Sequence, residues 1–131
     1  VDIDQHAGDV WFVDSGHSAA SDTAGFGQSP DSPVATLDYA VGLCTASQGD
    51  VIYVMPGHAE TIAADSGVDI DVAGITVIGL GKGAARPTFT FGTLVTADFK
   101  LAAASTHVEN LLFLGGIDAL TGPIEISGAD C

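Results

Sequence analysis

Asp69 and Asp71 stand two residues apart in Val68-Asp-Ile-Asp-Val72, where apolar and acidic residues alternate. Successive side chains of an extended chain point to opposite faces, so both carboxylates fall on the side away from Val68, Ile70 and Val72. Two other segments share this pattern. Phe99-Lys-Leu-Ala102 puts Lys100 at the outward position, and Pro123-Ile-Glu-Ile126 does the same for Glu125. Aligned side by side, Asp69, Asp71 and Glu125 make an acidic ladder containing one lysine. Carboxylate oxygens are the preferred ligands of hard cations, so this face is the candidate calcium site. The simpler reading is a solvated polar face with a compensating ion pair, worth ~0–1 kcal/mol.

Other chemistry finds less support in the residues. His58-Ala-Glu60 offers two metal ligands from one extended segment, with His17 or His107 as a third. Zinc needs three or four converging ligands, and this spacing matches no recognised motif, so a turn histidine is the simpler expectation. Gly79-Leu-Gly-Lys-Gly83 lacks the Lys-Ser/Thr pair and following helix of a phosphate loop; it reads as a glycine turn. Glycoside hydrolysis requires two carboxyls facing one sugar, whereas Asp118 and Asp130 lie in loops near the end of the chain. Trp11, Tyr39 and Tyr53 are the only Trp and Tyr residues and are scattered. No serine nucleophile elbow is visible.

The charge balance bounds the partners. Asp and Glu total 17 against 3 Lys and Arg, a formal net charge of -14. Such a surface repels phosphate backbones, which excludes nucleic acid as a partner. It suits divalent cations and salty media, where counter-ions screen self-repulsion, and so a marine or saline setting. No apolar run approaches the ~20 residues of a membrane span. The acidic opening Val1-Asp-Ile-Asp-Gln5 is no secretory signal, and the absence of a starting Met points to processing or a fragment. Cys44 and Cys131 are too few for a disulfide scaffold, and Cys44 falls among apolar neighbours as a buried thiol.

The elements that must position these residues follow from periodicity. Asp9-Val-Trp-Phe-Val-Asp14 reads as a first strand. Ser15 to Ser32 is a long Ser/Gly/Asp-rich loop, a candidate interaction element. Asp31-Ser32-Pro33 reads as a helix start, and the helix runs to about Ser47 with Leu37, Ala40, Val41 and Cys44 on one face. Short strands follow. Val51-Ile-Tyr-Val54, Ile75-Thr-Val-Ile78 and Leu111-Leu-Phe-Leu114 form one apolar set, with a single strand spanning Val108–Leu114. The Val68, Phe99 and Ile124 segments form another. From Val51 to Ile75 is 24 positions and from Phe99 to Ile124 is 25, a solenoid spacing. Nothing between them is long enough for a crossover helix, which excludes doubly wound packing beyond Asp50. The predicted interior ladders are Ile52–Val77–Leu112 and Ile70–Leu101–Ile126.

Gly49-Asp-Val-Ile-Tyr-Val-Met-Pro-Gly57, Gly74-Ile-Thr-Val-Ile-Gly79 and Ala35-Thr-Leu-Asp-Tyr-Ala-Val41 resemble segments of the pectate-lyase-like superfamily. The resemblance implies an all-β fold, a right-handed parallel β-helix of about two to three coils. Residues 1–50 would form the N-terminal strand, loop and capping α-helix, and residues 51–131 the coils, truncated or continued or covered by a partner at the C-terminus. Pectate lyases bind calcium through clustered Asp and use Arg or Lys as base, but their catalytic arginine motif has no counterpart here. The opening Trp11-Phe-Val-Asp-Ser15 and Gly25-Phe-Gly27 resemble β-helix proteins of tailed-bacteriophage virions. That likeness implies a structural virion component: a capsid decoration, head fibre or tail appendage, homotrimeric, contacting other virion proteins and host-surface glycans. It places the protein on the virion or extracellularly. The alternatives are a polysaccharide lyase or glycoside hydrolase fragment and a calcium-dependent carbohydrate-binding module. No catalytic residue and no cofactor other than calcium is assigned.

Overall fold

The computed structural model describes residues 8–62, 67–92, 98–115 and 124–128. It is β-rich, with parallel strands and one α-helix. In chain order these are β1 (Val10–Val13), α1 (Leu37–Leu43), β2 (Val51–Val54), β3 (Ala59–Ile62), β4 (Val68–Ile70) and β5 (Thr76–Gly79). A 3-10 turn at Gly83–Ala85 precedes β6 (Thr88–Phe91), β7 (Phe99–Leu101), β8 (His107–Glu109), β9 (Leu112–Gly115) and β10 (Ile124–Ile126). The strands form three parallel sheets, ordered β1-β2-β5-β8, β4-β7-β10 and β3-β6-β9. From β2 onward the chain enters the first, third and second sheet in fixed rotation.

Alternation decides which side chains face inward. In the first sheet Trp11, Ile52, Val77 and Val108 share one register position, and Val13 pairs with Val54. Ile70, Leu101 and Ile126 align in the second sheet as their sequence pattern predicts, but only Ile70 and Leu101 are interior; Ile126, on the last strand, is 62 % exposed. Leu112 does not join Ile52 and Val77; it pairs with Thr88 in the third sheet. The cause is Asn110, whose φ of 60° breaks the expected Val108–Leu114 strand into β8 and β9. Its Nδ2 donates to the Gly79 and Gly81 carbonyls at 2.8 and 3.0 Å. A Cβ on Gly79 would collide with the Asn110 carbonyl, so this corner needs glycine.

A second corner recurs before each later strand of the first sheet. Gly49, Gly74 and Ser105 all have positive φ, two residues ahead of Val51, Thr76 and His107. Left-handed backbone is inexpensive for glycine and tolerated by few others. The residue after each corner, Asp50, Ile75 or Thr106, is buried. The interior is closed by aromatics. Phe99 of the second sheet meets Phe89 and Phe113 of the third edge-on, with centroids 5.6 and 5.0 Å apart. Each such pair contributes ~0.5–1.5 kcal/mol beyond the area it buries.

The helix starts later and ends earlier than its sequence pattern predicts. Val34 is bridged to Val13, and Asp14 N–H donates to the Val34 carbonyl, so residues around Pro33 are held extended. Thr36 is the N-cap instead, accepting from Tyr39 N–H. At the far end Thr45 N–H is taken by the Asp50 carboxylate and Ser47 adopts φ 59°, which stops the helix at Leu43. The apolar face Leu37, Ala40 and Val41 is buried, and α1 packs against β1, β2 and β4. Among the described residues no helix is long and apolar enough to cross a membrane.

Candidate functional site

The second sheet places Asp69, Lys100 and Glu125 on one register position. The side chain of Glu125 lies outside the described residues. Asp71 lies one residue beyond β4 and is exposed. The helix adds a carboxylate that sequence spacing did not bring in: Asp38 Oδ1 accepts the Asp69 backbone N–H at 3.1 Å. This contact caps the outer edge of β4, where a backbone donor would otherwise face no neighbouring strand. Asp38 lies 31 positions earlier in the chain, so no local pattern could join it to Asp69.

Burial raises the Asp69 carboxyl above its usual range, and repulsion from Asp71 pushes the same way; the Lys100 ammonium opposes both, while Asp38 and Asp98 add to the rise. Asp69 Oδ1 is buried and has no hydrogen-bond partner among the described residues. Asp38 is raised too, first by desolvation where its carboxyl meets the sheet, with the Asp69 N–H opposing and Asp71 and Glu60 reinforcing. Like charges and desolvation both disfavour an ionised carboxylate. Among the described residues no group of three or more His, Cys, Asp and Glu side chains is arranged to hold a metal.

His58 and Glu60 do meet. The His58 side chain is 0% exposed, and its Nε2 lies 2.6 Å from Glu60 Oε2. His58 Nδ1 accepts the Ser15 backbone N–H at 2.9 Å, while Glu60 Oε2 also accepts the N–H of Leu37, the first helical residue, at 2.8 Å. A neutral ring carrying its proton on Nε2 satisfies both contacts. Ser15 Oγ bonds the backbone of Ala59 rather than the ring. The trio therefore lacks the serine-to-imidazole hydrogen bond of a nucleophilic triad. It ties the long loop, β3 and the helix N-terminus together. The suggested third ligands are elsewhere: His17 Nδ1 accepts from Ala19 N–H, and His107 sits 3.7 Å from Glu109 on β8.

Two further carboxylates have structural duties. Buried Asp50 accepts Asp9 N–H and Thr45 N–H, each at 2.7 Å, joining the start of β1 to the helix exit. Asp22 accepts the N–H groups of Ala35 and Thr36 and the Thr36 hydroxyl, fastening the Ser15–Ser32 loop to α1. In the same loop Gly27 (φ 98°) lies against Trp11 and Val34, and its carbonyl accepts from Phe12 N–H. Gly79 to Gly83 is a turn, with Arg86 Nε donating to the Gly83 carbonyl. Trp11 is buried, whereas Tyr53 stacks on Phe12 with centroids 5.9 Å apart.

Cys44 is the C-cap of α1 and half-buried; its thiol donates to the Ala40 carbonyl at 3.5 Å. Burial pushes this thiol up to about 12, reinforced by Asp50 and Asp9. Asp118, Asp130 and Cys131 lie outside the described residues. Compared with known proteins, the chain matches no family model, no curated protein and no solved structure.

Proposed function

We propose that this chain is a structural assembly component, folded as a right-handed parallel β-helix with α1 as its N-terminal cap. The observation that carries the reading is the fixed rotation of strands through three parallel sheets, with α1 bonded to the leading edges of the other two sheets through Glu60 and Asp38. A solenoid needs such a cap, because each coil is otherwise covered only by its neighbour. The buried polar groups His58 and Asp50 are engaged by backbone donors, as scaffold residues are.

Within that class, the reading is a virion component of a tailed phage: a capsid decoration, head fibre or tail appendage acting as a homotrimer on other virion proteins. Its support is the Trp11–Ser15 and Gly25–Gly27 resemblance. Those two segments are bonded to each other through Phe12 N–H and the Gly27 carbonyl at 2.7 Å, so they behave as one structural unit. Host-surface glycans are the ligands this class would adhere to.

Size-exclusion chromatography with light scattering, combined with incubation on acidic and neutral polysaccharides, tests the proposal. A trimer that leaves every polysaccharide intact is the expected result. A stable monomer that cleaves polysaccharide overturns it in favour of a lyase or hydrolase fragment.

A further inference from the structure

The three sheets differ in what they turn outward. The second presents Asp69 and Lys100 on its outer face. The first presents two ladders, Val10–Val51–Thr76 and Phe12–Tyr53–Ile78, which carry no carboxylate, ammonium, guanidinium or imidazole. All six residues are half-buried. Charge enters this face only on its last strand, at His107 and Glu109. This contrasts with the net charge of -14 over the whole chain.

We propose that this outer face of the first sheet is the surface on which a second copy of the chain docks. Two copies carry the same large negative charge, so most approaches bring carboxylates together and are disfavoured. An approach through Phe12, Tyr53 and Ile78 avoids that repulsion and removes apolar area from water. A basic partner would select the Asp69 side instead. Tyr53, stacked on Phe12, is a rigid aromatic anchor of the kind that dominates interfaces. The third sheet is also without charge outside, at Ala59, Thr61, Thr88, Thr90, Leu112 and the 47 % exposed Leu114, but it offers no aromatic anchor there. The inference rests on the assembly reading above and names the face that reading requires.

Salt gives the contact a signature. Association through an apolar face between like-charged molecules strengthens as salt screens their repulsion, whereas an interface held by ion pairs weakens. The test is light scattering of the wild type, Tyr53→Glu, Thr76→Glu and Thr90→Glu at low and high salt, with far-UV circular dichroism as the folding control. The wild type is expected to be oligomeric, more so at high salt. Tyr53→Glu and Thr76→Glu are expected to weaken association at least tenfold, and Thr90→Glu to leave it unchanged. Thr76→Glu keeps the question answerable if Tyr53→Glu fails to fold. An oligomer that both first-sheet variants leave intact overturns this face while the assembly reading stands. A wild type that remains monomeric at every salt concentration overturns both.

Discussion

Glu60 Oε2 stands 2.6 Å from His58 Nε2 and 2.8 Å from the backbone nitrogen of Leu37. One carboxylate oxygen thus holds a buried imidazole and the first turn of the helix together. Glu60 occupies the register position that Phe89 and Phe113 fill in the next two strands of its sheet. An inward carboxylate there is tolerable because both neighbouring donors face it. Replacing it by alanine strands the His58 Nε2–H and the Leu37 N–H. Glu60→Ala is expected to lower unfolding free energy by about 3 kcal/mol, and Glu60→Gln by about half as much. Urea titration followed by circular dichroism measures both; equal small losses would show that the contact is not a staple.

Asp69 is expected to weaken the fold at neutral pH. Its carboxyl is raised above 3.8 by burial and by its acidic neighbours. For a carboxyl raised on folding, the stability contribution is complete below the unfolded value and is lost as pH rises through the folded one. Asp69→Asn is therefore expected to raise the melting temperature at pH 7 by roughly 1–3 °C. The gain should shrink as pH falls through the acidic range, where wild-type Asp69 takes up its proton. A variant less stable than wild type at pH 7 would show that the attraction to Lys100 outweighs desolvation.

The same face answers the calcium question. Calcium is expected to raise the melting temperature no more than magnesium does at matched ionic strength, as general screening of a -14 chain predicts. A calcium-specific rise, lost in Asp69→Asn, Asp71→Asn and Glu125→Gln, would instead mark a coordinated site.

Asp50 is expected to be more sensitive than any exposed carboxylate. It is 0% exposed and accepts two backbone N–H groups from segments 36 residues apart, Asp9 and Thr45. Asp50→Ala removes the buried acceptor shared by both backbone donors, a loss on the order of 2 kcal/mol. Asp31→Ala, at an exposed loop position, is expected to change stability by less than about 0.5 kcal/mol. Comparing the two by thermal melts tests the assignment.

Cys44 is expected to be unreactive in the folded state. With its thiol pushed up to about 12, the nucleophilic thiolate is scarce at pH 8. Labelling by iodoacetamide, with the Cys44 peptide quantified by mass spectrometry, should be at least tenfold slower in buffer than in urea. Equal rates would contradict the burial.

Much of this architecture is legible in the order of residues. Alternation puts Ile70, Leu101 and Ile126 on one ladder, and Asp69 and Lys100 on its opposite side, because a side-chain period of two needs no knowledge of the partner strand. The shared spacing of the Val51 and Ile75 segments indicated that they pair, and they do. Leu112 lies in the third sheet rather than beside Ile52 and Val77, because Val108 to Leu114 reads locally as one strand in which only Glu109-Asn110 interrupts the apolar residues. Only the left-handed turn at Asn110, fixed by the carbonyls of Gly79 and Gly81 from the preceding turn of the chain, divides it. The helix boundaries moved for a related reason. Asp31-Ser32-Pro33 is a sound local start signal, but pairing of Val34 with Val13 overrides it.

The same division holds for the polar residues. Composition alone set the charge that governs any partner, since net charge is a sum and needs no geometry. Which carboxylates are spent on the scaffold was decided by the fold. Asp38 reaches Asp69, Glu60 reaches Leu37, and Asp50 reaches Asp9, each pair brought together across a wide stretch of sequence. Sequence spacing encodes short-range direction, whereas a hydrogen bond between distant segments exists only once packing has brought a buried donor and acceptor within about 3 Å.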